Sequence, residues 1–256
     1  MLIQSTKDLS AGRAKVLIYG SAKAGKTHLA ATYPEDKTLI ISAEAGLLTL
    51  RKKNIAFVDM GTDDNGKPIP VEKRIDRLGE IYKYLLTDEA KNKYSYVVLD
   101  SLTEVSESVL QELRGKPEYI KNQQGMWGEY GNRVMKIAKL FRDLPHYGVA
   151  VIGHEEIEKD ETNKRFTGLM ISGKSKTNLI MVFDEIYYLT VAKADDGGLK
   201  RVLLTAKTDT ITAGSRLGLP AVIENPNMSE IIGLQEGPKP ESIKQLEKSL
   251  AETPKK

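Results

Sequence analysis

From Lys15 onward, apolar runs of strand length alternate with stretches in which apolar residues recur every three or four positions. VLIYG is followed by a helix beginning near Lys26, then by the short runs TLIIS and IAFVDM. Such alternation predicts a mostly parallel sheet with helices on its faces. Residues 59–70 are rich in Gly, Pro and Asp and read as a loop. Val71, Ile75, Leu78, Ile81, Tyr82 and Leu85 then fall at helical spacing, which places a long amphipathic helix before the buried run YSYVVLD. Leu102, Val105, Val109 and Leu113 form a second stripe. Trp127, Tyr130, Val134, Ile137, Phe141 and Leu144 form a third, after a polar connector over 114–125, and GVAVIGH is a further buried strand.

After His154 the pattern changes. A polar stretch, EEIEKDETNKRFTG, leads to DEIYYLTVA, which a DDGG turn joins to LKRVLLTA in the outline of a β-hairpin, so the last third is more antiparallel. From Gln235 the chain is polar and carries three prolines. This predicts one domain over 1–234 and a mobile polar tail over 235–256.

Composition narrows the class. With 256 residues, 40% hydrophobic and 29% charged, the chain suits one domain with a sizeable core and a tail. No apolar stretch approaches the roughly 18 to 20 residues of a membrane span, and the start, MLIQSTKDLSAGRAK, has no apolar block of signal-peptide length. A cytoplasmic protein with no membrane partner is expected. The absence of cysteine excludes disulfides, thiolate zinc sites and cysteine nucleophiles, and three scattered histidines argue against a histidine metal cluster. Thirty-eight basic against 35 acidic residues, a net of +3, is too even to announce nucleic acid. Any such surface must be local.

The strongest chemical signal is Gly20–Ser21–Ala22–Lys23–Ala24–Gly25–Lys26–Thr27, an instance of G-x-x-x-x-G-K-[ST] that follows an apolar strand and opens a helix. Gly20 and Gly25 let the backbone curl so that its N–H groups and the helix start surround phosphates. Lys26 is expected to bridge the β- and γ-phosphates of ATP, and the Thr27 hydroxyl to hold Mg²⁺. Asp100, ending YSYVVLD, is the second metal-side residue, a carboxylate of Walker B type. Ser101 follows it, which argues against two adjacent Walker B carboxylates. An ATPase must place a base beside the attacking water, and Glu44, in SAEAG at the carboxyl edge of the next strand, is the candidate. His154 ends GVAVIG on the same edge and is placed to sense the γ-phosphate and relay its loss.

GSAKAGKT, SAEAG, VVLDS and the strand ending in His154 resemble, in order and spacing, the core of the RecA-like ATPases. With MWGEYG, VIGHEE, GLMISGKS, DEIYYL and SRLGLP, the chain over 15–234 is similar to a phage family of small AAA-labelled ATP-binding proteins, whose studied members are core-only RecA-like recombinases that anneal single strands. The resemblance implies an α/β RecA-like P-loop NTPase with a mostly parallel central sheet, flanking helices and an antiparallel C-terminal hairpin. It implies Mg²⁺-dependent ATP hydrolysis stimulated by single-stranded DNA, a homo-oligomeric ring or filament, a single-strand-binding protein as a candidate partner, and a role in phage DNA recombination in the host cytoplasm.

It also implies that the loops after the Walker B helix and after the sensor strand face DNA. The first interleaves Arg114, Lys116, Lys121 and Arg133 with Tyr119, Trp127 and Tyr130, a mixture suited to phosphate attraction and base stacking, although Trp127 and Tyr130 also fit the apolar stripe. The second holds Lys164, Arg165, Phe166, Lys174 and Lys176, behind a crowd of acidic residues. Arg216, in AGSRLGLP, is a candidate nucleotide contact supplied to a neighbouring protomer, as is Lys207. Two further readings stay open: a nucleotide-gated loader or adaptor of the replication machinery with little turnover, and a small-molecule kinase, disfavoured because no arginine-rich lid follows the sheet.

Overall fold

The computed structural model describes residues 13–44, 46–159, 161, 163, 165–173, 176–194 and 197–235. Strand β1 (Lys15–Gly20) leads into α1 (Lys26–Ala30), β2 (Thr38–Ser42) and β3 (Ala56–Asp59). Helices α2 (Arg74–Leu85) and α3 (Asp88–Lys93) precede β4 (Tyr96–Asp100). Then come α4 (Leu102–Arg114), α5 (Gln123–Arg142) and β5 (Gly148–Lys159). The remainder is β6 (Arg165–Leu169), α6 (Lys176–Ile180), β7 (Glu185–Lys193), β8 (Leu199–Leu204), β9 (Val222–Glu224) and α7 (Met228–Gln235).

The sheet runs β3-β2-β4-β5-β1-β7-β8-β9. From β3 to β7 all pairings are parallel, and β8 and β9 add antiparallel strands. This is the expected α/β architecture, a mostly parallel central sheet with an antiparallel C-terminal hairpin, and β5 is threaded between the P-loop strand and the strand that ends in Asp100. Strands covered on both faces must be apolar at successive positions, and β1 shows why. Leu17 and Tyr19 join the core under α2, α4 and α5, while Val16 and Ile18 join the core under α1 and α7.

Helix starts are fixed by side chains. The Ser101 hydroxyl accepts from the Glu104 N–H, and the Asn122 side-chain Oδ1 accepts from the Gly125 N–H at 2.9 Å. Ser101 is thus the N-cap of α4.

Two expectations change. The polar stretch after His154 is not a plain loop: β5 continues to Lys159 and pairs antiparallel with β6, from Glu155 opposite Leu169 to Lys159 opposite Arg165. Helix α7, which the sequence reading left undrawn, buries Met228, Ile231 and Ile232 against the α1 side. The tail expected over 235–256 lies outside the described residues except for Gln235, which closes α7. No helix among the described residues is long and apolar enough to cross a membrane.

Candidate nucleotide site

Register brings the candidate chemistry to one edge. Gly20 aligns with His154 across β1 and β5, Asp100 with Ile152 across β4 and β5, and Ser42 with Asp100 across β2 and β4. Because parallel strands all exit on the same side, the P-loop, the SAEAG turn, Asp100 and His154 share the carboxyl edge, where open α/β sheets bind ligands.

The P-loop is shaped by its glycines. Gly20 lies flat against β7: a Cβ there would stand 2.1 Å from the Leu189 carbonyl oxygen. Gly25 has a φ of +99°, a conformation side chains avoid. Between them Ser21 and Gly25 are half-buried, Ala24 is buried, and Ala22 and Lys23 are exposed, with Lys23 itself left-handed. Lys26 is buried, and its ammonium donates to the carbonyls of Gly20 at 2.9 Å and Ser21 at 2.8 Å. Burial holds this amine below the usual lysine range, against the pull of Asp100, Glu44 and Glu155.

Thr27 donates its hydroxyl proton to Asp100 Oδ2 at 2.6 Å. Asp100 is buried, which raises its carboxyl above the usual range, opposed by the Thr27 hydrogen bond and by the charge of Lys26. A hydroxyl and a carboxylate side by side are a hard oxygen donor set, the kind Mg²⁺ takes together with waters and phosphates. The residues therefore fit a nucleotide-bound Mg²⁺, with Thr27 and Asp100 as its protein-side partners.

Glu44 and His154 are joined. The His154 Nε2–H donates to Glu44 Oε2 at 3.1 Å, while Nδ1 faces the Lys26 ammonium at 3.5 Å. The tautomer with its proton on Nε2 and its lone pair on Nδ1 is the one that suits both contacts. The His154 backbone N–H donates to the Thr103 hydroxyl of α4 at 3.0 Å, a link the sequence reading missed. The Glu44 turn is tied to β4 as well: the Asp100 carbonyl accepts from Ala43 N–H at 2.6 Å and from Glu44 N–H at 3.2 Å. A carboxylate so placed, half-buried beside the P-loop lysine, has the reach of a general base for water.

Other expected residues fall elsewhere. Arg216 stands at the opposite edge of the sheet: its Nη1 pairs with Asp184 Oδ1 at 3.0 Å, and its N–H donates to Glu185, which aligns with Val16. That is about 13 Å, four strand residues, from the carboxyl edge, so Arg216 is no ligand of its own chain's nucleotide. Lys207 is exposed beside β6, where Thr167 N–H donates to the Thr210 carbonyl. Lys116 and Arg133 are both spent on Glu112, at 3.0 Å and in a two-pronged pair at 2.8 and 2.5 Å. Among the described residues, Arg114 and Lys121 have no carboxylate within ion-pair distance and are exposed. Arg165 is exposed at the start of β6; Lys164 and Lys174 lie outside the described residues, and Lys176 is described only as the first residue of α6. Tyr130 is core and meets Trp127 edge-on, but Trp127 itself is 40% exposed.

One basic residue at the P-loop was not foreseen. Arg201 of β8 donates from Nε to the Ala24 carbonyl at 3.3 Å. The available signal was parity: Leu199, Arg201 and Leu203 share one face of an alternating strand, and an arginine interrupts the apolar row.

An AAA-domain family model matches residues 13–217. Among solved structures, the KaiC-like protein of the hyperthermophilic archaeon Pyrococcus horikoshii OT3 is similar at 13% identity and a TM-score of 0.42, over 84% of this chain and 90% of that one. No curated protein matches the chain. With a P-loop, a Walker B carboxylate and a parallel sheet inside a family match covering most of its length, the chain belongs to the AAA-domain family of P-loop ATPases.

Proposed function

We propose that this protein is a Mg²⁺-dependent ATPase that assembles as a homo-oligomer on single-stranded DNA and promotes strand annealing in phage recombination. The observation that carries the reading is the course of β5. This one strand places His154 between Lys26 and Glu44, then runs on unbroken to Lys159 in the hairpin that bears Arg165. A change at the phosphate end thus has a stiff path to the segment expected to face nucleic acid. Trp127 supports the same face: it reaches the second segment, since a Cβ on Gly173 would lie 4.0 Å from its ring. An exposed indole is a stacking platform for a base, worth about 1–3 kcal/mol per base.

In this reading Lys26 leaves the loop carbonyls for the phosphates, Thr27 and Asp100 hold Mg²⁺, and Glu44, oriented by His154, accepts the proton of the attacking water. Arg216 acts only across a protomer boundary. ATP binding favours the assembled state and hydrolysis releases it, a shift of population.

The test is phosphate release from Mg·ATP with and without single-stranded DNA, with Lys26→Ala as the blank. Stimulation by the single strand, weaker with duplex, is expected. Hydrolysis indifferent to DNA would overturn the DNA-coupled reading in favour of a nucleotide-gated loader or adaptor.

A further inference from the structure

The antiparallel β7–β8 hairpin extends past the sheet's carboxyl edge on the side of the P-loop. Gly20 aligns with Leu189 of β7, and β7 continues four residues further to Lys193. On the returning strand, Arg201 pairs with Val191. Leu189 and Leu203 belong to the α1-side core, so strand alternation turns Val191 and Arg201 toward the same side, over the P-loop. The strand is held in place: the Arg201 carbonyl accepts from Asn225 N–H at 2.8 Å, and neighbouring Lys200 pairs with Glu224 at 2.6 Å.

The contact with the loop is specific in kind. Arg201 donates to the carbonyl of the Ala24–Gly25 peptide, whose other end is the Gly25 N–H. In a P-loop the N–H groups face the phosphates and the carbonyls face away. A cation on the carbonyl polarises that peptide and makes its N–H a stronger donor. Gly25 is also the residue that gives Arg201 room, since a Cβ there would stand 2.4 Å from Arg201 Nε. The charge is felt along α1, where His28 is held below the usual histidine range by partial burial, then by Arg201 and Lys53.

The geometry points to Arg201 as a positioning residue of the nucleotide site: it fixes and polarises the Ala24–Gly25 peptide so that Gly25 N–H binds the inner phosphates of a nucleoside di- or triphosphate. This rests on the nucleotide reading of the P-loop. It makes the late hairpin part of the binding site, although no residue of the P-loop motif lies on it. The inner phosphates are common to ADP and ATP, so the effect must be common too.

The experiment is equilibrium binding of Mg·ADP and Mg·ATP to the full chain, for wild type, Arg201→Ala and Arg201→Lys, with nucleotide-free melting curves for each. Loss of one charge-assisted, solvent-accessible hydrogen bond predicts that Arg201→Ala weakens ADP and ATP by the same factor, about five- to tenfold. Arg201→Lys, which keeps the charge and a donor, should recover most of that, a rescue that a merely structural role would not give. Unchanged affinity in Arg201→Ala would overturn the assignment. So would a loss confined to ATP, which would put the guanidinium at the γ-phosphate. If Arg201→Ala melts lower without nucleotide, Arg201→Lys decides, and an affinity loss in it equal to that of alanine counts against the assignment. Failure of wild type to bind either nucleotide, by contrast, would overturn the P-loop reading itself.

Discussion

Thr27 and Asp100 meet at 2.6 Å although Thr27 stands on α1, after β1, and Asp100 ends β4, with β5 lying between those two strands in the sheet. The pair puts a carboxylate in a buried place, where ionisation is unfavourable. A carboxyl whose folded pKa is raised weakens the fold as pH rises through that pKa. Asp100→Asn should therefore melt no lower than wild type at neutral pH in the absence of Mg²⁺, while phosphate release falls by about 10² or more. A variant that melts lower yet retains full turnover would contradict this account of the site.

Glu44→Gln keeps the shape and an acceptor for His154 but removes the base. Phosphate release should fall by about 10²–10⁴ with nucleotide affinity held near wild type. Complexes on single strands should last longer, because the releasing step is blocked; their rapid dissociation, timed by filter binding, would count against the mechanism.

On the outer face the prediction separates paired from unpaired cations. Arg114→Ala with Lys121→Ala should lower the slope of log affinity against log salt by about 1.4 for a single strand, at roughly 0.7 per phosphate contact. Lys116→Ala should leave the slope alone, because Glu112 already balances that charge. Glu112→Gln, which strips the partner from Arg133 and Lys116, should cost about 1–2 kcal/mol of stability and raise non-specific DNA affinity. Equal slopes across all of these variants would remove this face from the DNA-binding surface.

At the far edge of the sheet, Lys15 donates to the carbonyls of Leu144 at 2.7 Å and Tyr147 at 2.5 Å. Burial lowers its pKa from 10.5 to about 8, against Asp184 and Asp143 and with the help of Arg13. Between those values the unfolded chain binds the proton and the folded one does not, so this group's contribution to stability rises with pH. The neutral amine still has protons for both carbonyls. Urea unfolding of wild type and Lys15→Met should show wild type gaining on the variant from pH 8 to 10.5; a constant difference would refute it.

Much of this was legible in the residues. Strand-length apolar runs gave the parallel sheet, and the exit of each run gave the edge on which Lys26, Asp100, Glu44 and His154 converge, because parallel strands allow no other arrangement. Pairing was less legible. Nothing in the composition of the 114–133 region shows that Arg133 and Lys116 are spent on Glu112, since such pairs depend on how α4 packs against α5. The position of Arg216 was illegible for a related reason: a loop arginine has no periodicity to say which edge of the sheet it occupies. Arg201 was hidden by its setting in a hairpin read only as β-structure, and α7 by its shortness, since Met228, Ile231 and Ile232 keep helical spacing over only eight residues.

The Asp100 carbonyl accepts from both Ala43 and Glu44. Asp100 and Glu44, the proposed metal-side and water-side carboxylates, are consequently mounted on a common bracket of main chain, independent of which side chains surround them. A displacement of the end of β4 carries both acids together. Their separation is then set by peptide geometry, a dimension that substitutions elsewhere in the core can shift only by first breaking this shared acceptor.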